Sequence, residues 1–501
     1  MLRQPTLPSV LPRCARMPRS TASDGRRGRG LSRSVRLVLA AAALALLAGC
    51  AGLVDVPEHA RPETPEKTTW SRPNVSAADT IAPDWWRAFG DPYLEQLVDR
   101  AIAGNFDVKI LAARIQVAKA QIAEARAGAL PTLDIGAGAS FEKSTGQKFS
   151  KTFNLGTQVN WELDVWGKVE KGVQAQTAEF RASEADWRAG YLALVSDVSS
   201  TYFQILQLDE QVDRQQRALE RNRLILDTYT AMLGQGLIPK TQVLRQGAEN
   251  NRLTNDLIEL RRARELAGNA LATLLGVAAG EFTVPPGHLQ DRVKLPVVPA
   301  GLPSGLLARR PDIVAAEFRV LSAYDLVGQA KLAQLPSISL TGRAGTSSFA
   351  LGDLLKSFTF GFLPSINIPA FDPSIKARLK TSEAQTKVFE HEYQRTVIGA
   401  FEEVENALTN LDAHKQQRVE LQQQIEQLEV VAEQIAAQVR EGVVSQLEVF
   451  ESERSLLSAQ LALLANHQQI LADTVTLYKA LGGGWPAVEV ANAPREPQSA
   501  Q

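Results

Sequence analysis

The chain has 501 residues, 45% of them hydrophobic and 6% aromatic, with 54 basic and 55 acidic side chains and a formal charge of −1. Length alone allows several domains. Nine arginines but only one acid, Asp24, lie in residues 1–36, so the chain from Cys50 onward carries a formal charge near −9, which argues against nucleic acid as a partner.

The arginine-rich start runs into the apolar stretch LVLAAAALALLAGC, residues 37–50. A basic region, a short apolar core and small residues before a cleavage point describe a secretory signal over residues 1–49. The run is shorter than the ~20 residues a membrane-spanning helix needs. Translation starts at Met1 or at Met17; the leader from Met1 is unusually long. Leu47-Ala48-Gly49-Cys50 resembles the bacterial lipobox, which implies that Cys50 is lipidated and opens a lipidated N-terminal segment, residues 50–82. An ordinary signal peptide with a chance cysteine is the other reading. Ala51 follows, and a residue other than Asp at that place resembles lipoproteins sorted to the outer membrane. Cys14 lies in the leader, so the mature chain has no internal disulfide.

The remainder is one unit written twice. NFDVKILAARIQVAKAQIAEARAGALPTLDI (105–135) aligns with RPDIVAAEFRVLSAYDLVGQAKLAQLPSISL (310–340), bringing Asp107 onto Asp312, Arg114 onto Arg319 and Pro131 onto Pro336. LGQGLIPKTQVL (233–244) aligns with VREGVVSQLEVF (439–450). The repeats cover 83–276 and 309–484, with a connector over 277–308 and a tail over 485–501. Each repeat predicts a first helix (86–130, 309–335), two strands, a very long helix (168–233, 373–440), a tight turn and a return helix (240–276, 445–481). At 1.5 Å per residue the longest helices reach ~100 Å. Ile205, Val212, Leu219, Leu226 and Leu233 recur every seven residues, and Leu421, Ile425, Leu428, Ala432, Ile435 and Val439 alternate spacings of three and four. Such repeats imply coiled-coil packing. A soluble coiled coil would carry the same stripe.

After each proline the period changes to two. Leu133, Ile135, Ala137, Ala139 and Phe141 alternate with Thr132, Asp134, Gly136, Gly138 and Ser140. In 152–166, Phe153, Leu155, Val159, Trp161, Leu163 and Val165 share one face. Ile338 and Leu340 begin a third apolar face, and Phe358, Phe360, Phe362, Ile366 and Ile368 a fourth. Strands of about ten residues, apolar on one side and polar on the other, are the pattern of a membrane β-barrel; a soluble sheet packed on a helix is the alternative. The secretory leader and the aromatics near the strand ends favour the barrel. Four strands cannot close one, because the smallest membrane barrels have about eight. A membrane-spanning form therefore requires several chains.

LLARRPDIVAAEFRV (306–320), PDWWRAFGDPYLEQLVDRAI (83–102), the two helix–proline–strand junctions and the paired turns together resemble the outer-membrane factor family, the TolC-like tunnels. The likeness is to their lipoprotein (NodT-like) branch, which serves resistance–nodulation–division pumps, and it covers nearly all of residues 50–485. It implies a mixed α/β membrane protein: a homotrimer with a composite 12-stranded β-barrel in the outer membrane, continued by a long α-helical coiled-coil tunnel in the periplasm. It also implies that Pro131 and Pro336 mark the helix–barrel junctions. Gly236, Leu237, Gly442 and Val443, at the two tips, would meet a periplasmic adaptor, although plain turn geometry also explains both glycines. Glu448 and Glu451 would form the pore constriction, with Arg454 one helical turn from Glu451; a solvated helix face is the other reading. The function implied is that of an exit duct for drugs or other toxic small molecules, joined to an inner-membrane pump. A type I secretion duct and a structural periplasmic lipoprotein are alternatives. No catalytic motif stands out, and neither a cofactor nor a metal is expected. Met232 is the only methionine after the leader, which disfavours a thioether relay for copper or silver.

Overall fold

The computed structural model describes residues 81–483, apart from 144, 147–148, 299–304, 370 and 445, together with Asp55, Pro57, 61–65, Lys67 and 69–71. The leader, Cys50 and the tail lie outside the described residues. The elements are α1 (Pro92–Gly104), α2 (Phe106–Ala127), β1 (Thr132–Glu142), β2 (Ser150–Leu163), α3 (Lys168–Gly234), α4 (Lys240–Leu274), α5 (Pro311–Leu332), β3 (Ser337–Ser348), β4 (Thr359–Asn367), α6 (Pro373–Arg440) and α7 (Gln446–Ala480). Among the described residues no helix is long and apolar enough to cross a membrane.

The first helix predicted over 86–130 is in fact three pieces. Trp85–Phe89 forms a 3₁₀ turn, and the chain breaks again at Asn105 between α1 and α2. Asn105 is extended and its side-chain oxygen accepts from the backbone of Asp107 and Val108, capping α2. Its amide donates to the Leu274 carbonyl at the end of α4, 3.0 Å away. The break thus seats the start of one helix on the end of another. The approach is close: a Cβ on Gly276 would stand 2.3 Å from the Gly104 carbonyl oxygen. In this way α4 and α2, of 35 and 22 residues, follow one another beside the 67-residue α3.

The second repeat makes the same joint with different chemistry. Arg310 precedes Pro311, which opens α5 with a pre-set φ. The Arg310 guanidinium donates to the Ala480 carbonyl at the end of α7 (3.1 Å), to Asp312 (2.6 and 3.0 Å) and to Glu403 on α6 (2.7 Å). Burial opposes its charge, but the carboxylates of Asp312 and Glu403 outweigh that and raise its pKa. A cation at the end of one helix and Asp312 at the start of the next also suit both helix dipoles.

The main core lies where α1, the middle of α3, the connector and the end of α7 meet. Trp85 stacks on Tyr478 with ring centroids 4.8 Å apart, and Phe89 packs on Phe203 at 5.0 Å. Leu94, Leu206, Leu271 and Leu289 are fully buried beside them. Burying each such side chain stabilises by roughly 1.5–3 kcal/mol. Asp91 caps α1 through the Tyr93 amide and accepts a 2.6 Å hydrogen bond from the buried Tyr202 hydroxyl. Elsewhere α3 presents Ala175, Ala178, Ala182 and Ala185, all buried, and Ser322 of α5 donates to the Ala175 carbonyl at 2.9 Å. Small residues at spacings of three and four let the two helices come close.

The four strands form one antiparallel sheet in the order β1-β2-β3-β4. Its register places Leu133, Val159 and Gly342 in one row, and Ile135, Thr157, Ala344 and Phe360 in another. All the apolar faces therefore merge into one. The other face carries Asp134, Gln158 and Arg343 in one row and Thr132, Asn160 and Thr341 in the next. Gln158 donates to Asn160 at 2.8 Å across that polar face. Trp161 and Trp166 sit at the helix-proximal end, and their indole N–H groups donate to the carbonyls of Ala129 (2.9 Å) and Pro336 (2.6 Å). Phe141, Phe149 and Phe153 cluster at the far end. An eleven-residue strand is ~37 Å long; tilted by about 40° it covers roughly 28 Å, close to the ~25 Å apolar band of membrane barrels. The fourth strand, expected to begin by Phe358 and run past Ile368, spans Thr359–Asn367, and the second ends at Leu163.

Two outcomes follow from these contacts. Arg310→Ala removes one partner of a buried charge cluster and leaves the Ala480 carbonyl without its donor. It is expected to cost about 3–5 kcal/mol, read as a lower melting temperature of the detergent-extracted protein, with Arg309→Ala changing it little. His467 of α7 is buried, its Nδ1 has no partner among the described residues, and burial and Arg418 of α6 lower its pKa below 6.5 against the pull of Glu210 on α3. The folded chain then refuses a proton that the unfolded chain accepts, so stability falls as pH drops below 6.5 and is unaffected above it. His467→Gln is expected to shrink the loss of melting temperature between about pH 7.5 and pH 5.5.

Candidate functional site

The two hairpin tips are built alike. Gly236 and Gly442 each have φ of 72°. At the first tip the Leu237 amide donates to the Met232 carbonyl and the Gly236 amide to Leu233, both at 3.0 Å. At the second the Val443 amide donates to Gln438 (2.9 Å) and the Gly442 amide to Val439 (3.0 Å). This pair of bonds closes a helix only around a residue in the left-handed region, which glycine enters without strain. The following side chains, Leu237 and Val443, are exposed by 64% and 69%. Pro239 then precedes α4 as its N-cap, in extended backbone.

Glu448 lies in the first turn of α7 and Glu451 one turn later; both are exposed, and among the described residues neither has a salt bridge or side-chain hydrogen bond. They lie off the face by which α7 meets α3, where Phe450 packs edge-on to Tyr229 at 6.3 Å and Leu457 joins Leu219, Leu253 and Leu257. Arg454, expected beside Glu451, does not pair with it. It stands instead around a small hollow with Arg221, Glu249, Arg252 and Glu453. There a hydrogen bond from Arg252, followed by the charges of Arg252 and Arg454, holds Glu249 below the usual carboxylate range against the effect of burial. Its position on the α3-facing side of α7 draws it away from Glu451.

Pro131 and Pro336 each stand immediately before a strand, after a three-residue turn that follows the helix end. Before each, the helix tightens into 3₁₀ bonds, Leu130 to Ala127 (3.0 Å) and Leu335 to Leu332 (3.1 Å). Among the described residues no cluster of three or more His, Cys, Asp or Glu is arranged to hold a metal. The joints at Asn105 and Arg310 escaped the sequence reading, although the Arg-Arg-Pro-Asp motif drew attention to the second. Neither residue reveals its role until the distant end of α4 or α7 is placed against it.

An N-terminal strap, described at residues 61–65, Lys67 and 69–71, packs on the second repeat. Arg61 makes paired hydrogen bonds to the fully buried Glu317 of α5 (2.7 and 2.8 Å), and Lys67 pairs with Glu405 of α6 at 2.5 Å. Trp70 lies edge-on to Phe401. Read toward the N-terminus, the strap climbs from the middle of α6 toward the sheet.

The profile of the outer membrane efflux protein family matches residues 97–277 and 302–483. The chain is 30% identical over 474 residues to the probable outer membrane lipoprotein SilC of Salmonella typhimurium, covering 89% of this chain and 98% of SilC. It is 29% identical over 433 residues to the pyoverdine export outer membrane protein OpmQ of Pseudomonas putida, covering 83% and 92%. The open-state MtrE outer membrane channel of Neisseria gonorrhoeae superposes with a TM-score of 0.77 at 30% identity, covering 86% of this chain and 98% of MtrE. With both repeats matched, a sheet whose apolar side is bare and two rod-like hairpins, the chain belongs to the outer membrane efflux protein family.

Proposed function

We propose that three copies of this chain form the outer-membrane exit duct of a tripartite efflux pump, passing drugs or other toxic small molecules out of the periplasm. The observation that carries this reading is the four-stranded sheet, with its exposed apolar face and two unpaired edges. Inside a bilayer each edge must find backbone partners. Pairing the β4 edge of one chain with the β1 edge of the next closes a composite 12-stranded barrel. The helices below the sheet then line a tunnel. The half-exposed stripe Leu421, Ile425, Leu428, Ala432, Ile435 and Val439 supports the same assembly, because within one chain it is only partly covered.

In this reading Glu448 and Glu451 of the three chains gather at the narrow periplasmic mouth. A ring of carboxylates at a narrow mouth favours cations. Leu237 and Val443, held out by Gly236 and Gly442, offer apolar knobs to a periplasmic adaptor, which links the duct to an inner-membrane resistance–nodulation–division pump. Cys50 carries the lipid anchor. From Glu317 the remaining fifteen residues of α5 climb ~22 Å to the sheet, and the eleven residues from Cys50 to Arg61 span up to ~36 Å, enough to reach the membrane.

Planar-bilayer recording tests the duct and its gate together. The wild type is expected to show small cation-preferring openings, and Glu448→Ala with Glu451→Ala a several-fold larger conductance. Openings identical in both proteins would remove the gate from these acids, and failure to insert would remove the duct. In a pump-dependent host, Leu237→Ser with Val443→Ser is expected to restore drug sensitivity while the trimer band on unheated gels persists. Full resistance in that variant would place the adaptor contact elsewhere. Loss of metabolic palmitate label in Cys50→Ser checks the anchor; label retained there would refute it.

A further inference from the structure

The β3–β4 connection, residues 349–358, is unlike the polar loops expected over an open pore. It holds a short 3₁₀ turn, Leu351–Asp353, and exposes Phe349, Leu351, Leu355 and Phe358 by 73%, 67%, 68% and 66%. Its two charges, Asp353 and Lys356, pair with each other at 2.5 Å. Which side of the sheet it folds over is decided by one residue. Thr346 pairs with Leu155 and so belongs to the apolar face. Its hydroxyl donates to the Leu354 carbonyl, and among the described residues it is the only buried position in the sheet. The loop therefore turns back over the outer, apolar wall and away from the polar face that lines the lumen.

We propose that residues 349–358 form a lipid-facing foot, which extends the apolar band of the barrel into the outer leaflet. The argument is one of continuity. Phe360 and Phe362 of β4 already lie on the bare apolar face, exposed by 91% and 67%, and Phe358 continues their alternation into the loop. The loop sits at the end of the sheet opposite the helices, so its leaflet is the outer one. Four exposed apolar side chains with a self-neutralised ion pair suit acyl chains just below the headgroups, where aromatic residues concentrate in membrane barrels. A loop bathed in water would keep such a patch exposed against the hydrophobic effect. The foot rests on the reading of the chain as an outer-membrane channel.

The test uses the full-length lipidated protein in proteoliposomes, with bimane attached to Leu355→Cys and, separately, to Ile135→Cys at mid-height on the same outer wall; the protein without an introduced cysteine gives the labelling background. Lipids brominated near the headgroup and aqueous iodide serve as quenchers. The foot predicts that the Leu355→Cys label loses fluorescence to the brominated lipid and is little affected by iodide. Iodide quenching at Leu355→Cys, with lipid quenching retained at Ile135→Cys, overturns the foot and keeps the barrel. Protection from both quenchers at Leu355→Cys also overturns it, because a neighbouring chain would then be the cover. If the Ile135→Cys label meets no lipid, the channel reading itself fails.

Discussion

A peptide group in hydrocarbon must be hydrogen bonded within the protein, because no water is there to replace the partner. Most of this molecule can be read as an answer to that demand. A sheet of four strands satisfies its interior and leaves β1 and β4 each with a row of free groups. Putting its apolar face in lipid therefore commits the chain to neighbours. The same incompleteness runs down the helices: α6 buries Tyr393, Val397, Val404 and Leu408, and no described residue of α6 beyond Leu408 is buried. The lower half of the second hairpin is shaped for contacts that one chain does not contain.

The duplication shows which parts of the unit are negotiable. Both tips end in the same hydrogen-bond pattern around a glycine with φ of 72°, because only a residue without a Cβ enters that region freely. The helix-to-helix joints have more freedom. Asn105 and Arg310 both donate to the last carbonyls of a distant helix, one with a neutral amide and the other with a buried guanidinium held by two carboxylates. A carbonyl at a helix end needs a donor and accepts several kinds.

Packing is graded along the chain. Aromatic rings from four segments interlock at the level of Trp85, Phe203 and Tyr478, whereas the tips offer exposed leucine and valine, and acids with no partner among the described residues. Regions with few buried contacts open at low cost. A gate placed at Glu448 and Glu451 can move without disturbing the core, and the sparse packing on α6 below Leu408 is where such motion would be accommodated.

Much was legible in the residues themselves. Period two after Pro131 and Pro336 marked strands, period seven marked rods, and the offset between Asp107 and Asp312 exposed the duplication, because these patterns are imposed by backbone geometry over short distances. The chain by itself also implied that four strands need company. Only the tertiary structure decided that the predicted helix over 86–130 breaks at Asn105, that Arg310 clasps the end of α7, that Arg454 turns toward Glu249 and away from Glu451, and that the β3–β4 loop folds over the outer wall. Each of these depends on groups brought together from distant parts of the chain, or on which side of the sheet a loop falls. Local periodicity is blind to both.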